Sequence, residues 1–360
     1  MDNIKINSKI IGSGQPVYII SEIGSNFDHD FARAKSLAKL SKDLGADAFK
    51  IQNFLAPKIV SAKGFDKMQV AFQAKWKSSV TEVYRQAEFP REWLKDLMAY
   101  CQSIGIDFLS SPYDTEAVDL LLDLGAAAYK IGSGEIDNLE FLQYVAKTGK
   151  PIILGCGAAT MPEIKSAVAA IKNTGNDQLI LLQCVTNYPS PVNDANIRAM
   201  AALKNEFDLV VGYSDHTIGQ EGGGDDPLSG LTVPLGAVAL GAAVIEKHFT
   251  DDRKRQGPDH PFAMDPESFG RMVKGVRAME KALGSGKKEL APSEKETVII
   301  QRRGLYAKTE IEAGDKITKE KIEWLRPAAG LKPAQLNEAL GKTAKRNILA
   351  GEAIRAEDIY

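Results

Sequence analysis

The chain has 360 residues, 44% of them hydrophobic and 26% charged, with a formal net charge of −2. A chain of this size and balance buries a large core without staples, and it suits one large domain with a small one. The near-zero charge leaves no electrostatic footprint for nucleic acid or an anionic membrane, and no apolar run reaches the roughly 20 residues of a membrane span.

Residues 1–16 lack the basic start and apolar stretch of a secretory signal. Beyond them, short β-branched or apolar runs recur, each followed by a stretch of helical period. Run 17–22 comes first, and in 31–44 Ala34, Leu37, Ala38, Leu40 and Leu44 gather near one face. Runs 48–52 and 107–111 follow, then helical stretch 115–124, runs 127–131 and 151–155, and helical stretch 161–172. Runs 179–184, 209–214 and 243–248 complete eight, and 266–283 is again helical. The runs are continuous rather than alternating, as parallel strands buried on both faces require. Strand-then-helix repeated eight times predicts an α/β fold, a (β/α)8 TIM barrel over residues 1–283. The alternative is an open doubly wound sheet, but no G-x-G-x-x-G follows the first run. The cysteines Cys101, Cys156 and Cys184 form no disulfide framework and read as buried thiols in a reducing cytoplasm.

The pattern weakens after Leu283. Residues 284–301, opening on Gly284-Ser285-Gly286, read as a linker. Within 302–360 the segment Ile311 to Ile322 lines up with Ile348 to Ile359, both reading I-x-A-G-acid-x-I-x-x-E-x-I. Two copies predict a small pseudo-symmetric β-rich unit rather than a solenoid.

A barrel places its active site at the carboxyl ends of the strands. Polar residues fall there repeatedly: Glu22, Lys50, Gln52, Ser110, Ser111, Lys130, Ser133, Glu135, Asn187, Tyr188, Ser214, Asp215, His216 and His248. Packing alone would use apolar residues at these positions. Lys50 and Lys130 need anionic partners, because a buried unpaired ammonium is costly. A phosphate or carboxylate ligand would serve; the alternative is a pair of structural ion pairs with Glu22 and Glu135. Ser111, Ser133, Asn187 and Ser214 would add neutral hydrogen bonds to the same anion. His216 and His248 end neighbouring strands, where two imidazoles reach one divalent ion and leave positions open for water and substrate. A site with so few protein ligands suits an exchangeable ion: manganese first, with magnesium or cobalt as the alternatives. His29 reads as structural. Gly257-Pro258-Asp259-His260 is a turn able to reach over the mouth. Gly222-Gly223-Gly224-Asp225-Asp226 fits no calcium motif and reads as a flexible loop.

Taken together, these segments resemble the sialic acid (nonulosonic acid) synthase family over nearly the whole chain. The resemblance rests on Ser21 to Asn26, Gly45 to Gln52, Lys130 to Glu135, Asn187 to Pro191, Gly212 to Thr217, Glu246 to Thr250, and Gly257 to His260, in that order. The duplicated unit resembles that family's antifreeze-like SAF (β-clip) domain. What the resemblance implies is condensation of phosphoenolpyruvate with an open-chain N-acetylmannosamine-type sugar, releasing phosphate. By carry-over, His216 and His248 would hold the metal. Lys50, Ser111, Lys130, Ser133, Asn187 and Ser214 would bind phosphoenolpyruvate. Gln52, Tyr188, Asp259 and Arg326 would face the sugar, and Glu22, Lys50, Lys130 and Glu135 would form the catalytic set. The family's small domain covers the mouth of the other subunit of a domain-swapped homodimer and lends the arginine that Arg326 matches.

The chain departs from that family at Phe27, where a histidine is usual, and at Gly155 to Ala158, where hydroxyls are usual. It departs again at a Gly/Asp-rich stretch between Thr217 and Val233, and at Ala328-Ala329 after the arginine. These leave open a legionaminate- or pseudaminate-type acceptor, a phosphorylated aldose acceptor, and a barrel that binds sugar phosphate without turnover.

Overall fold

The computed structural model describes residues 3–65 and 78–360, divided into two compact units, Met1–Gly284 and Ser285–Tyr360. The first unit opens on a hairpin of β1 (Asn3–Ile6) and β2 (Lys9–Gly12). Eight strands follow: β3 (Tyr18–Glu22), β4 (Ala48–Asn53), β5 (Asp107–Pro112), β6 (Tyr129–Ile131), β7 (Ile152–Gly155), β8 (Leu179–Cys184), β9 (Val210–Asp215) and β10 (Val244–His248). Each lies on one of the eight runs read from the sequence.

Their ladders are parallel, in the order β5-β4-β3-β10-β9-β8-β7-β6, so the last strand pairs with the first. That is a nearly closed barrel; among the described residues only the β5–β6 seam lacks a ladder. The two-residue period of a strand divides its side chains. Ile19, Phe49, Leu181 and Ile245 face out and pack with the surrounding helices. Ile20, Ala48, Leu109, Ile180 and Val244 face in and fill the lower barrel. Helices start where a short polar side chain accepts a free backbone N–H: Asp30, Asp114 and Asp265 cap Phe31–Asp43, Thr115–Asp123 and Pro266–Leu283.

The hairpin has no counterpart in the eight-run reading. Its Ile4, Ile6 and Ile11 join the inner cluster and stop the amino-terminal end of the barrel. Lys9 bridges to Asp47 at 3.2 Å, and Tyr18 donates to Asp107 at 2.9 Å beside it. The open end is therefore the carboxyl end. Ile6 is fully buried, so Ile6→Ala is expected to cost about 2–5 kcal/mol, read as a lower urea midpoint at unchanged slope.

The Gly-rich segment near 222 is not the free loop that its composition suggests. Buried Asp226 accepts from Leu228 N, from Thr232 N and from the Thr232 hydroxyl. Asp225 accepts from Val192 N at 2.9 Å. Gly224 packs so closely on the Ile218 backbone that a Cβ would not fit.

In the second unit β11 (Gly304–Ala307) pairs antiparallel with β12 (Ile322–Leu325). The repeat folds as a pseudo-twofold pair. Ile311 and Ile348 exchange both backbone hydrogen bonds at 2.9 Å, and Ala307 N to Glu352 O has its mate in Ala344 N to Asp315 O. Ile317, Ile322, Ile354 and Ile359 meet in one core.

Candidate active site at the carboxyl ends of the strands

Strand register assembles the site. β3 sets Glu22 beside Lys50 on β4, and β4 sets Gln52 beside Ser111 on β5. β10 sets Glu246 beside Ser214 on β9 and His248 beside Glu22. Inside the barrel these residues form one buried charge cluster. Lys50 pairs with Glu22, lies 3.6 Å from Glu246 and donates to the Ser111 hydroxyl at 3.2 Å. Lys130 lies 3.3 Å from the same Glu246 oxygen, which also accepts from the Ser214 hydroxyl at 3.2 Å. Lys130 thus takes Glu246 as its partner rather than Glu135, the residue anticipated for it.

Four buried charges from four strands are a poor investment for stability alone. Burial pushes the Glu22 carboxyl above the usual range, with Glu246 adding to it and Lys50 opposing it. Burial works on Glu246 the same way, but Lys130 and Lys50 outweigh it and hold that carboxyl below its usual range. Burial also opposes the Lys130 charge; Glu246 prevails and keeps the ammonium. Two carboxyls driven apart and two fixed amines are the parts of an anion-binding, proton-handling site. Glu246 is the principal residue that sequence reasoning missed. The signal was present: it stands two residues before His248, on the same face of a strand.

His216 and His248 meet beside this cluster, with ring centroids 5.5 Å apart. His216 gives its Nδ1–H to Val185 O at 2.6 Å, so the neutral ring presents Nε2 as a free donor atom. Burial lowers the His216 pKa to about 4 and carries His248 well below its ordinary value, with His216 next among the causes. Both rings are therefore neutral, the form that binds a metal. His248 Nδ1 is buried without a hydrogen-bond partner. The donor set fits a divalent ion with open positions; the described residues contain no group of three or more His, Cys, Asp or Glu ligands.

Tyr188 packs on this pair, its ring 4.2 Å from His216 and 5.8 Å from His248. Ser133 lies 3.1 Å from Cys184 Sγ and accepts from Gly157 N. The Cys184 thiol is buried, which raises its pKa. Glu135 is half-buried, and its raised pKa is due mainly to burial. Gln52 is half-buried near the carboxyl end of β4. Asn187 is exposed and bonds Pro189 O, so it does not join the buried cluster. Asp259 accepts from the Ser25 N–H at 2.7 Å and the Ser25 hydroxyl at 3.0 Å, with Gly24 leaving room for it. His260 is structural, bonded to Thr250 and Asp28 at 2.8 Å each. Tyr113, just past β5, was also missed; its hydroxyl lies over Gly132, and its raised pKa reflects burial first and then the charges of Glu22 and Glu135. Arg326 is exposed on the second unit.

The model of the NeuB family matches residues 37–288, and that of the SAF domain matches residues 302–359. The chain belongs to the NeuB family. It is 38% identical to the N,N'-diacetyllegionaminic acid synthase of Campylobacter jejuni over 94% of this chain and 98% of that one. It is 33% identical to the pseudaminic acid synthase of Helicobacter pylori over 96% and 98%. The crystal structure of an N-acetylneuraminic acid synthetase from Leptospira borgpetersenii superposes with a TM-score of 0.70 at 31% identity, covering 82% of this chain and 95% of that one. The resemblance, the barrel with its SAF unit and the synthase class expected from sequence all stand.

Among NeuB-family features, two departures now have a place. Phe27 is fully buried against Phe89 and Trp93 in the outer core rather than in the mouth. Gly155 gives its space to Ser133, whose hydroxyl and backbone lie where a Cβ would go. A larger residue at 155 would displace one of the expected anion ligands.

Proposed function

We propose that this NeuB-family enzyme condenses phosphoenolpyruvate with the open-chain form of an N-acetylmannosamine-type amino sugar, giving a nonulosonic acid and phosphate. The observation that carries the reading is the pairing, in one buried cluster inside the barrel, of two fixed ammonium groups with two neutral imidazoles. Lys50 and Lys130, with Ser111, Ser133 and Ser214, are positioned to exchange their internal partners for the phosphate and carboxylate of phosphoenolpyruvate. Asn187 joins them by releasing Pro189.

The phosphoenolpyruvate methylene attacks the sugar aldehyde carbon, and the enol carbon becomes an oxocarbenium centre. Water adds there, and the tetrahedral product loses phosphate to leave the keto acid. Glu22, buried beside Lys50, is assigned the proton of that water. Glu246 stays an anion that holds both lysines in place, and Glu135 flanks the acceptor. Gln52, Tyr188 and Asp259 line the sugar's approach. A divalent ion held by His216 and His248, manganese before magnesium or cobalt, would supply Lewis-acid polarisation of the aldehyde. Arg326 comes from a second subunit of a homodimer, whose SAF unit excludes bulk water. Phosphoenolpyruvate is an intracellular metabolite, so the reading carries a cytoplasmic enzyme with it.

The test is phosphate release from phosphoenolpyruvate with a panel of acylated amino sugars and Mn2+, with and without chelator. Release that needs both sugar and metal is expected; tight binding with no release would contradict turnover. The panel includes a diacetamido sugar, because relatives named for legionaminic acid are 37–38% identical while the mouse N-acetylneuraminate-9-phosphate synthase is 30% identical. It also includes phosphorylated aldoses, whose exclusive use would place the chain with the aldose-phosphate synthases. A chain ending at Gly284 is expected to keep the circular dichroism of a folded barrel but lose about 10²-fold or more in kcat, the scale of losing one oriented charge donor at a reacting centre. Arg326→Ala in the full chain is expected to approach the same loss.

A further inference from the structure

A second buried ion pair lies directly behind the two imidazoles, on the outer face of the barrel wall. Asp215 and Lys247 are the last registered pair of the β9–β10 ladder. Their side chains are 0% and 1% exposed, and Lys247 Nζ meets Asp215 Oδ2 at 2.5 Å. The same ammonium donates to Thr217 O. Asp215 in turn accepts from Thr217 N at 3.0 Å and from the Thr217 hydroxyl at 2.9 Å. Ser214 and Glu246, the preceding residues on these strands, point into the cavity, so the alternation of a strand turns Asp215 and Lys247 away from it. This pair cannot touch substrate.

The next residue along the chain is in each case a histidine: Asp215, the last residue of β9, precedes His216, and Lys247 precedes His248 at the end of β10. Beyond the ladder, the backbone of each histidine is tied to a separate loop, His216 O to Ser190 N and His248 O to Met264 N. The ion pair, by contrast, joins the two strand ends to each other. A buried pair of this kind contributes little net stability against apolar residues of similar size, and fixing a register is the best-attested use for one.

We propose that Asp215, Lys247 and Thr217 form a positioning strut that sets the spacing of His216 and His248 for a divalent ion. The proposal rests on the metal reading given above. Supports behind a metal ligand typically contribute 10–100-fold in affinity.

The experiment measures Mn2+ affinity of the full-length chain by electron paramagnetic resonance of the free ion, with thermal unfolding and the KM for phosphoenolpyruvate measured alongside. The double variant Asp215→Leu/Lys247→Met is expected to unfold at or near the wild-type temperature yet bind Mn2+ about 10-fold or more weakly. Its KM for phosphoenolpyruvate should move by less than about 3-fold, since Lys50 and Lys130 lie inside the barrel. Thr217→Val, which keeps the charges and the shape, should weaken Mn2+ binding by about 3-fold or more, and it decides the matter if the double variant does not fold. Wild-type Mn2+ affinity in a folded double variant, or in Thr217→Val when that alone folds, overturns the strut. His216→Ala and His248→Ala run beside them: if these also keep wild-type Mn2+ affinity, the metal reading itself has failed and the strut goes with it.

Discussion

His216→Ala and His248→Ala are each expected to lower kcat by about 10²–10³-fold with Mn2+ present, equivalent to roughly 3–4 kcal/mol of transition-state stabilisation. Both rings are held neutral by burial, and His216 spends its Nδ1–H on Val185 O. Removing either leaves one imidazole, too few protein ligands to retain an exchangeable ion. The stability cost should stay below that of removing a buried charge, because neither ring leaves an unpaired ion behind, although His216→Ala also gives up the hydrogen bond to Val185 O. A steady-state Mn2+ titration checks this: the variants should show no saturable stimulation, while chelated wild type should match them. Wild-type rates in either variant would remove the metal assignment.

Lys130→Met is expected to lower kcat/KM for phosphoenolpyruvate by about 10²-fold or more and to destabilise the barrel by about 3–5 kcal/mol. The two effects have one cause. Lys130 neutralises Glu246, which is buried and shared with Lys50. Without the amine, a buried carboxylate loses one of its two cationic partners and the incoming phosphate meets a more negative site. Adding Glu246→Gln in the same chain should recover most of the lost stability and little of the activity. Urea unfolding and calorimetric binding of phosphoenolpyruvate separate the two. Recovery of activity by Glu246→Gln would mean that Lys130 serves only to neutralise Glu246.

Much of this architecture was legible in the chain itself. The eight strand runs stand out because a barrel strand is buried on both faces and carries few polar residues before its carboxyl end. Lys50, Lys130 and His248 stand out for the converse reason, being polar groups closing apolar runs. Glu246 was hidden because it sits beside Lys247, and composition cannot tell which of the two faces the cavity; the β10 register does, sending Glu246 and His248 inward and Lys247 outward. The β1–β2 hairpin was hidden by the shortness of its strands, four residues each, since its role as a floor depends on strands far along the chain. Asp226 was hidden among glycines, because capping by a carboxylate is a matter of local geometry. Asn187 and Tyr188 are adjacent in sequence, yet only Tyr188 packs against the imidazoles.

The most direct measurement is a crystal structure of the full chain grown with Mn2+ and phosphoenolpyruvate, with anomalous scattering recorded at the manganese edge. The account predicts one anomalous peak bound by His216 and His248, and phosphoenolpyruvate density on Lys50 and Lys130 in the same cavity. A peak elsewhere, or phosphoenolpyruvate bound away from both lysines, would contradict it.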